Sequence, residues 1–252
     1  MWKIAEIRLK QLEKSFEVSK NSHPVLRRFS TDLDTEKITV ILGRSGCGKT
    51  TLLRILAGLE TLDGGQILFE KQEKLGVVFQ EPRLMPWLTL EQNILFGADK
   101  KKYSKSQLKE KAEVLLKLTG LEKFGNAYPD QLSGGMMQRA ALARALACDA
   151  SYLLMDEPFA ALDHFTRQTM QKEFLRICAE EKMGALFVTH SVDEALLLGN
   201  EILIMENGKV GSRFTIGENL AYPRDLLSEE MIGIKRKIIK ILENRSQTQI
   251  NF

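Results

Sequence analysis

The sequence predicts an α/β fold, a mostly parallel sheet with flanking helices, to which a β-rich N-terminal part and a helical insertion are added. Three observations carry this. Ile38-Thr39-Val40-Ile41-Leu42 is a short apolar run rich in β-branched residues and closed by Gly43, the pattern of a strand buried on both faces. Similar runs recur at 75–79, 151–155, 185–189 and 201–205 with helical patterns between several of them, and such alternation implies parallel strands covered by helices. Between 90 and 147 only helical spacing is visible, in Leu108, Ala112, Leu115 and Leu116 and again in Ala140, Ala143, Arg144 and Ala147.

Taken in order, the first forty residues read as β-rich, with Ile4, Ile7 and Leu9 set among Lys and Glu, and a polar stretch at 19–24. The strand at 38–42 leads into a glycine-rich segment and then a helix at 51–57, ended by Gly58. Gly64-Gly65 reads as a turn before strands at 66–69 and 75–79. A helical subdomain is expected at about 84–147, inside a main domain of residues 1–230. Beyond it, 231–252 reads as a basic helix and tail with Ile234, Ile238, Ile241 and Leu242 on one face.

The 252 residues hold 36 Lys and Arg against 33 Asp and Glu, a formal charge of +3. That balance argues against a strongly basic protein that wraps nucleic acid and against an acidic disordered chain, so no nucleic-acid partner is expected. The excess sits at the end: 231–252 carries Lys235, Arg236, Lys237, Lys240 and Arg245 against Glu243 alone. That face is read as solvated, with contact to anionic lipid as the alternative. Cys47, Cys148 and Cys178 are scattered and form no CxxC pair, which speaks against a disulfide framework or zinc site and for a reducing compartment. The N-terminus lacks the apolar core of a secretory signal, and no window approaches the roughly 20 apolar residues of a membrane span. If the protein works at a membrane, another chain is expected to carry the spanning helices.

Residues 43–50, Gly-Arg-Ser-Gly-Cys-Gly-Lys-Thr, satisfy G-x-x-x-x-G-K-[ST] with a strand before and a helix after. Gly43, Gly46 and Gly48 allow successive N–H groups to turn inward as an anion cradle at a helix N-terminus. Lys49 is placed to reach the β- and γ-phosphates of a nucleotide, and the Thr50 hydroxyl to ligate Mg²⁺. Arg44, Ser45, Cys47 and Thr51 complete the binding stretch, Cys47 as a small loop residue and not a nucleophile. Downstream, an apolar strand ends in Asp156-Glu157 ahead of Pro158. Asp156 is read as a metal ligand, and Glu157 as the group that orients or deprotonates water. These residues point to a Mg²⁺-dependent nucleoside triphosphatase.

Leu132-Ser133-Gly134-Gly135-Met136-Met137-Gln138-Arg139 resembles the signature motif of ATP-binding-cassette (ABC) ATPases. The other family motifs follow in order over about residues 5–215. Gln80 resembles the Q-loop glutamine, implying a catalytic and metal-binding role; Ala161-Leu162-Asp163 resembles the D-loop, and His190 the switch histidine. Phe16 is similar in placement to the aromatic residue that stacks on adenine; packing within the β-rich part is the other reading. The resemblance implies ATP with Mg²⁺, and a head-to-tail dimer in which Ser133, Gly134 and Gly135 of one copy meet the γ-phosphate held by the other. Ser133 is also expected as a helix N-cap, which is compatible with that role. Met137 and Ala160 depart from residues frequent in the family.

The interval from 51 to 132 shows no sustained heptads, unlike the chromosome and repair members, and there is one P-loop and one signature, unlike the two-cassette translation factors. A separate ATPase subunit of an importer is therefore expected. It would be peripheral at the cytoplasmic face of the cell membrane, bound to multi-span permease subunits and serving a solute-binding protein indirectly. The alternative is a soluble ABC-type ATPase acting on nucleic acid or ribosomes. Gln80-Glu81-Pro82-Arg83-Leu84-Met85-Pro86-Trp87 resembles the ATPases of nitrate, sulfonate, taurine and pyrimidine-precursor importers. Arg83, Leu84, Met85 and Trp87 would line the groove for a permease helix, or Leu84 and Trp87 would pack internally.

Overall fold

A computed structural model of the chain describes residues 6–19, 21–71, 74–217 and 222–244. Ile4 of the N-terminal pattern and Arg245 of the basic tail lie outside the described residues. In chain order the first elements are β1 (Glu6–Val18), β2 (Asn21–Asp34), β3 (Ile38–Leu42), α1 (Lys49–Leu56), β4 (Gly64–Phe69), β5 (Leu75–Val78), α2 (Leu90–Ile94), α3 (Lys105–Leu118) and α4 (Gly134–Ala147). There follow β6 (Tyr152–Asp156), α5 (His164–Glu180), β7 (Gly184–Thr189), α6 (Val192–Leu198), β8 (Glu201–Glu206), β9 (Lys209–Thr215) and α7 (Glu229–Asn244). The chain divides into two compact units, residues 1–71 with 185–252, and residues 72–184.

In the first unit, β1 and β2 form a long antiparallel hairpin, and β4 pairs with the other edge of β1. Ile7, Leu9, Leu12, Leu26, Phe29 and Leu33 are all buried, so the alternation of apolar and charged residues marks one covered face. The polar stretch at 19–24 is mostly the start of β2, since that strand begins at Asn21. Gly64 and Gly65 belong to β4 and are not a turn. Gly65 has φ 86°, and a Cβ there would lie 2.3 Å from the Gln11 carbonyl oxygen, so glycine permits the close backbone approach to β1.

The same unit places β7, β3, β8 and β9 side by side. β3 runs parallel to both neighbours, and every residue of β3 and β7 is buried, as strands covered on both faces require. β9, which the sequence reading did not anticipate, returns antiparallel to β8. The turn between them is Asn207-Gly208, with φ of 44° and 74°, the left-handed pair that tight hairpins demand.

Two helices close this unit's C-terminal end. Arg224, 9% exposed, donates to the carbonyls of Leu196 (2.8 Å) and Gly199 (2.6 Å) and so satisfies the end of α6. α7 buries Met231 and Ile238 and leaves Arg236, Lys237 and Lys240 exposed, while Lys235 pairs with Asp193 of α6 at 2.5 Å.

In the second unit, β5 and β6 pair in parallel. No strand is present between Leu90 and Ala147, as the spacing predicted. Leu90, Ile94, Leu115, Leu116, Leu121 and Leu132 pack against Ala140, Ala143 and Ala147, the small residues letting α4 approach its neighbours closely. Asn93 is fully buried, and its amide holds the preceding turn by bonds to Met85, Leu88 and Thr89. Burial pushes the Cys178 thiol up to about 12 and raises that of Cys148. Neither is therefore a ready nucleophile.

Candidate nucleotide-binding and hydrolysis site

The expected site residues fall in both units. In the first, the parallel register sets Leu42 beside Thr189, so Gly43 and His190 leave the same edge of the sheet on adjacent strands. The glycines of the loop are there for different reasons. Gly46 and Gly48 have φ of 79° and 105°, which residues with a Cβ avoid. A Cβ on Gly43 would sit 2.6 Å from the Met205 carbonyl oxygen, and one on Gly48 would meet Val25 and Met205 at 3.0 Å. The loop is thus wedged against the β2 and β8 strands while Arg44, Ser45 and Gly46 stay exposed.

Gly48 is the N-cap of α1 and supplies no side-chain acceptor, which leaves the first-turn N–H groups of an eight-residue helix for an anion. Lys49 is 7% exposed, and its ammonium donates to the carbonyls of Gly43 (2.8 Å) and Arg44 (2.9 Å), with Cys47 Sγ at 3.8 Å. Its charge is held inside the loop instead of in solvent. Thr50, Thr51 and Cys47 are half-buried, and His190 is exposed. Phe16, 37% exposed, stands opposite His23 in the hairpin with Lys14 Nζ 5.1 Å from its ring centroid.

In the second unit, Val78 pairs with Met155, so the residues after β5 and at the end of β6 leave one edge together. Gln80 follows β5 and is exposed. Asp156 closes β6 at 4% exposure, and Glu157 comes next with φ 45°, a left-handed backbone that glutamate seldom adopts. Pro158 and Phe159 are buried behind it, and a turn from the Glu157 carbonyl to the Ala160 N–H (3.2 Å) holds the bend.

Asp163 and Ser133 are both helix N-caps. Asp163 Oδ1 accepts from the Phe165 and Thr166 N–H groups at 3.1 Å, and these bonds, those from Thr166 first, hold its carboxyl below the usual range. Ser133 Oγ accepts from Met136 N at 3.3 Å, the capping role expected for it. Gly134 opens to space, whereas a Cβ on Gly135 would touch Leu162 at 3.3 Å. Met137 packs against the helical core, and Ala160 is exposed.

Sequence reasoning missed two residues of this unit. Gln138 Nε2 donates to the Phe79 carbonyl at 3.0 Å, and Arg144 donates to the carbonyls of Pro82 (2.7 Å) and Arg83 (2.8 Å). They fasten the loop carrying Gln80 to α4, the helix that Ser133 caps. In the sequence Arg144 is one position of helical spacing among alanines; nothing in that spacing distinguishes a side chain reaching for backbone carbonyls. The segment after Gln80 separates its two apolar residues. Leu84 packs on the helical core, while Trp87 is 70% exposed.

The chain is similar to known proteins. The ABC transporter family model matches residues 26–160. An uncharacterized ABC transporter ATP-binding protein of Methanocaldococcus jannaschii is 41% identical over 245 residues, 95% of this chain and 92% of that protein. An aliphatic sulfonates import ATP-binding protein of Bacillus thuringiensis is 40% identical over 94% of this chain and 96% of its own length. Among solved structures, a dimeric ATP-binding cassette in a post-hydrolysis state, bound to ADP and Pi, superposes with a TM-score of 0.78 at 28% identity, covering 84% of this chain and 99% of that one. With the family model matching residues 26–160 and relatives matching nearly the whole length, beside a glycine-wedged loop and a buried strand-end aspartate, this chain belongs to the ABC transporter family.

Proposed function

We propose that this chain is the ATP-hydrolysing subunit of an ABC importer, peripheral at the cytoplasmic face of the membrane. The observation that carries the reading is the pair of strand edges: one delivers the 43–51 loop and His190, the other delivers Gln80 and the Asp156-Glu157 pair. None of the helices among the described residues is long and apolar enough to cross a membrane, and in this reading the permease subunits supply the spans.

The loop N–H groups and Lys49 bind and orient the phosphates of ATP, and Phe16 stacks on the base. By the family resemblance, Thr50, Asp156 and Gln80 would hold Mg²⁺, an ion that takes one or two carboxylates and completes its shell with phosphate oxygens and water. Bound there, the ion would neutralise charge on the phosphates. Asp156 is suited by its burial at a strand end, the position from which a carboxylate meets such a site. Glu157 accepts the proton of the attacking water, and His190 donates to the γ-phosphate. Ser133, Gly134 and Gly135 of a second copy, with its Asp163, complete each site in a head-to-tail dimer. The helical subdomain at about 84–147 carries the movement, and Trp87 with Arg83 forms the rim that receives a permease helix.

The solute is a small anion, organic or inorganic, such as a sulfonate or nitrate, or a pyrimidine precursor. The similarity to aliphatic sulfonates import proteins favours sulfonate. Uptake of labelled alkanesulfonate, nitrate and a pyrimidine precursor by a strain lacking this chain tests it. Loss of sulfonate uptake alone, restored by the wild-type chain and not by Glu157→Gln, is the expected result. Undiminished uptake of all three would overturn the solute assignment.

A further inference from the structure

The turn that carries His190 holds a hydrogen-bonded relay through Thr189, Ser191 and Glu194. Thr189, the last residue of β7, is 1% exposed. Its hydroxyl donates to Glu194 Oε2 at 2.6 Å and accepts from the Ser191 N–H at 3.0 Å. Ser191 Oγ in turn accepts from the Glu194 N–H at 3.3 Å and caps α6. In an ordinary capping box the acidic residue at the third helical position bonds the N–H of the cap directly. Here the Thr189 hydroxyl stands between the two.

The consequence is specific to residue 190. The side chain before it and the backbone N–H after it are bonded to each other, so the backbone torsions on both sides of His190 are closed into a ring. A hydroxyl-to-N–H turn of this kind is weak by itself. The Glu194 carboxylate changes that, because a short O–H···O⁻ bond is charge-assisted and polarises the hydroxyl into a better acceptor. α6 does not need Glu194 to stay in place: Ser191 caps one end, Arg224 holds the carbonyls of the other, and Ala195, Leu196 and Leu198 are buried. What the relay fixes is the turn.

We propose that Glu194 is a positioning residue for His190, acting through the Thr189 hydroxyl to hold the His190 backbone in one conformation. This rests on the reading of His190 as the γ-phosphate donor. Displacing a reacting group by about 1 Å can cost about 10²-fold in rate.

The test measures ATP turnover and KM for the full chain carrying Glu194→Ala, Glu194→Gln, Thr189→Val or Thr189→Ser, each with His190 intact and in a His190→Ala background. Glu194→Ala and Thr189→Val should lower kcat by about 10–100-fold with KM for ATP within about twofold, the pattern of a misplaced group and not of lost binding. Thr189→Ser, which keeps the hydroxyl, should recover most of it, and Glu194→Gln, which keeps an acceptor without the charge, only part. In the His190→Ala background none of the four should slow turnover further. Thr189→Val is close to isosteric and carries the test should Glu194→Ala fail to fold. Parental kcat for Glu194→Ala and Thr189→Val, with His190→Ala impaired, overturns the relay and leaves the His190 reading standing. Losses that add to that of His190→Ala show that Glu194 acts elsewhere, and also overturn it. Parental turnover of His190→Ala itself overturns both.

Discussion

Lys49 has a structural role in the loop beside the phosphate-binding role proposed for it. Its ammonium bonds the carbonyls of Gly43 and Arg44 at 2.8 and 2.9 Å, so a cation waits inside the loop with its charge already desolvated. Lys49→Ala removes both that tie and the proposed phosphate contact, and nucleotide affinity should fall by more than about tenfold, each factor of ten being about 1.4 kcal/mol. Titration with a fluorescent ATP analogue reads this, and unchanged affinity would take Lys49 out of the site. Gly48→Ala acts on the backbone. With φ 105° and neighbours at 3.0 Å, an added Cβ is strained and crowded together, at a cost of about 1–3 kcal/mol. Its melting temperature should drop, and nucleotide binding with it. Glu157→Gln keeps shape and removes the proposed base, so turnover should fall by about 10²–10⁴-fold while ATP still binds. Hydrolysis at the parental rate would refute the assignment.

At the scale of elements, charges hold helix ends and joints. Asp149 lies past the end of α4 and takes bonds from Lys111, Tyr103 and Lys102, reaching back to α3 and the turn before it. Burial alone would raise its carboxyl; those three partners outweigh burial and hold it at about 2. A carboxyl whose folded pKa lies below its unfolded one stabilises fully above the unfolded value and loses that contribution as pH falls. The window runs from about 4 down to about 2. Urea unfolding of Asp149→Asn should therefore show a lower midpoint than wild type near neutrality and a shallower loss across that window. Parallel curves would show that the cluster contributes nothing. Arg144 belongs to the same scale. It ties α4 to the loop after Gln80 through two backbone carbonyls and is itself desolvated, which lowers its pKa. Losing those two bonds in Arg144→Ala, where water can replace the guanidinium at the exposed Arg83 carbonyl, should cost about 1 kcal/mol in urea unfolding.

For the whole molecule the central expectation is the composite site. Mixed dimers in which one copy carries Ser133→Arg should lose the ATPase site formed with the other copy's loop, retaining about half the activity if the two sites fire independently. Full activity of a monomer would sink the head-to-tail arrangement. α7 bears on the same scale. Met231 and Ile238 are fully buried while Arg236, Lys237 and Lys240 are exposed, so the helix is a packed element with a basic outer face.

What the sequence determined by itself was whatever depends on local order. Buried β-branched runs gave β3 and β7, helical spacing gave α3 and α4, and the spacing of glycines, lysine and threonine gave the phosphate loop. β9 escaped because Lys209–Thr215 has no apolar run; it is a strand through its pairing with β8, although Asn207-Gly208 offered a hairpin signal. Gly64-Gly65 reads locally as a turn, and only the approach of β1 makes it a strand. The partners of site residues were not legible either. The Ser191–Glu194 spacing suggests a capping box, but the interposed Thr189 hydroxyl is set by where β7 ends in space. Gln138 and Arg144 reach carbonyls 59 to 62 residues away along the chain. Motif chemistry survives in sequence because a few residues at fixed offsets must meet one ligand. Which side chains hold those residues still is decided by long-range packing, where many different partners could satisfy the same backbone groups and only the folded chain selects among them.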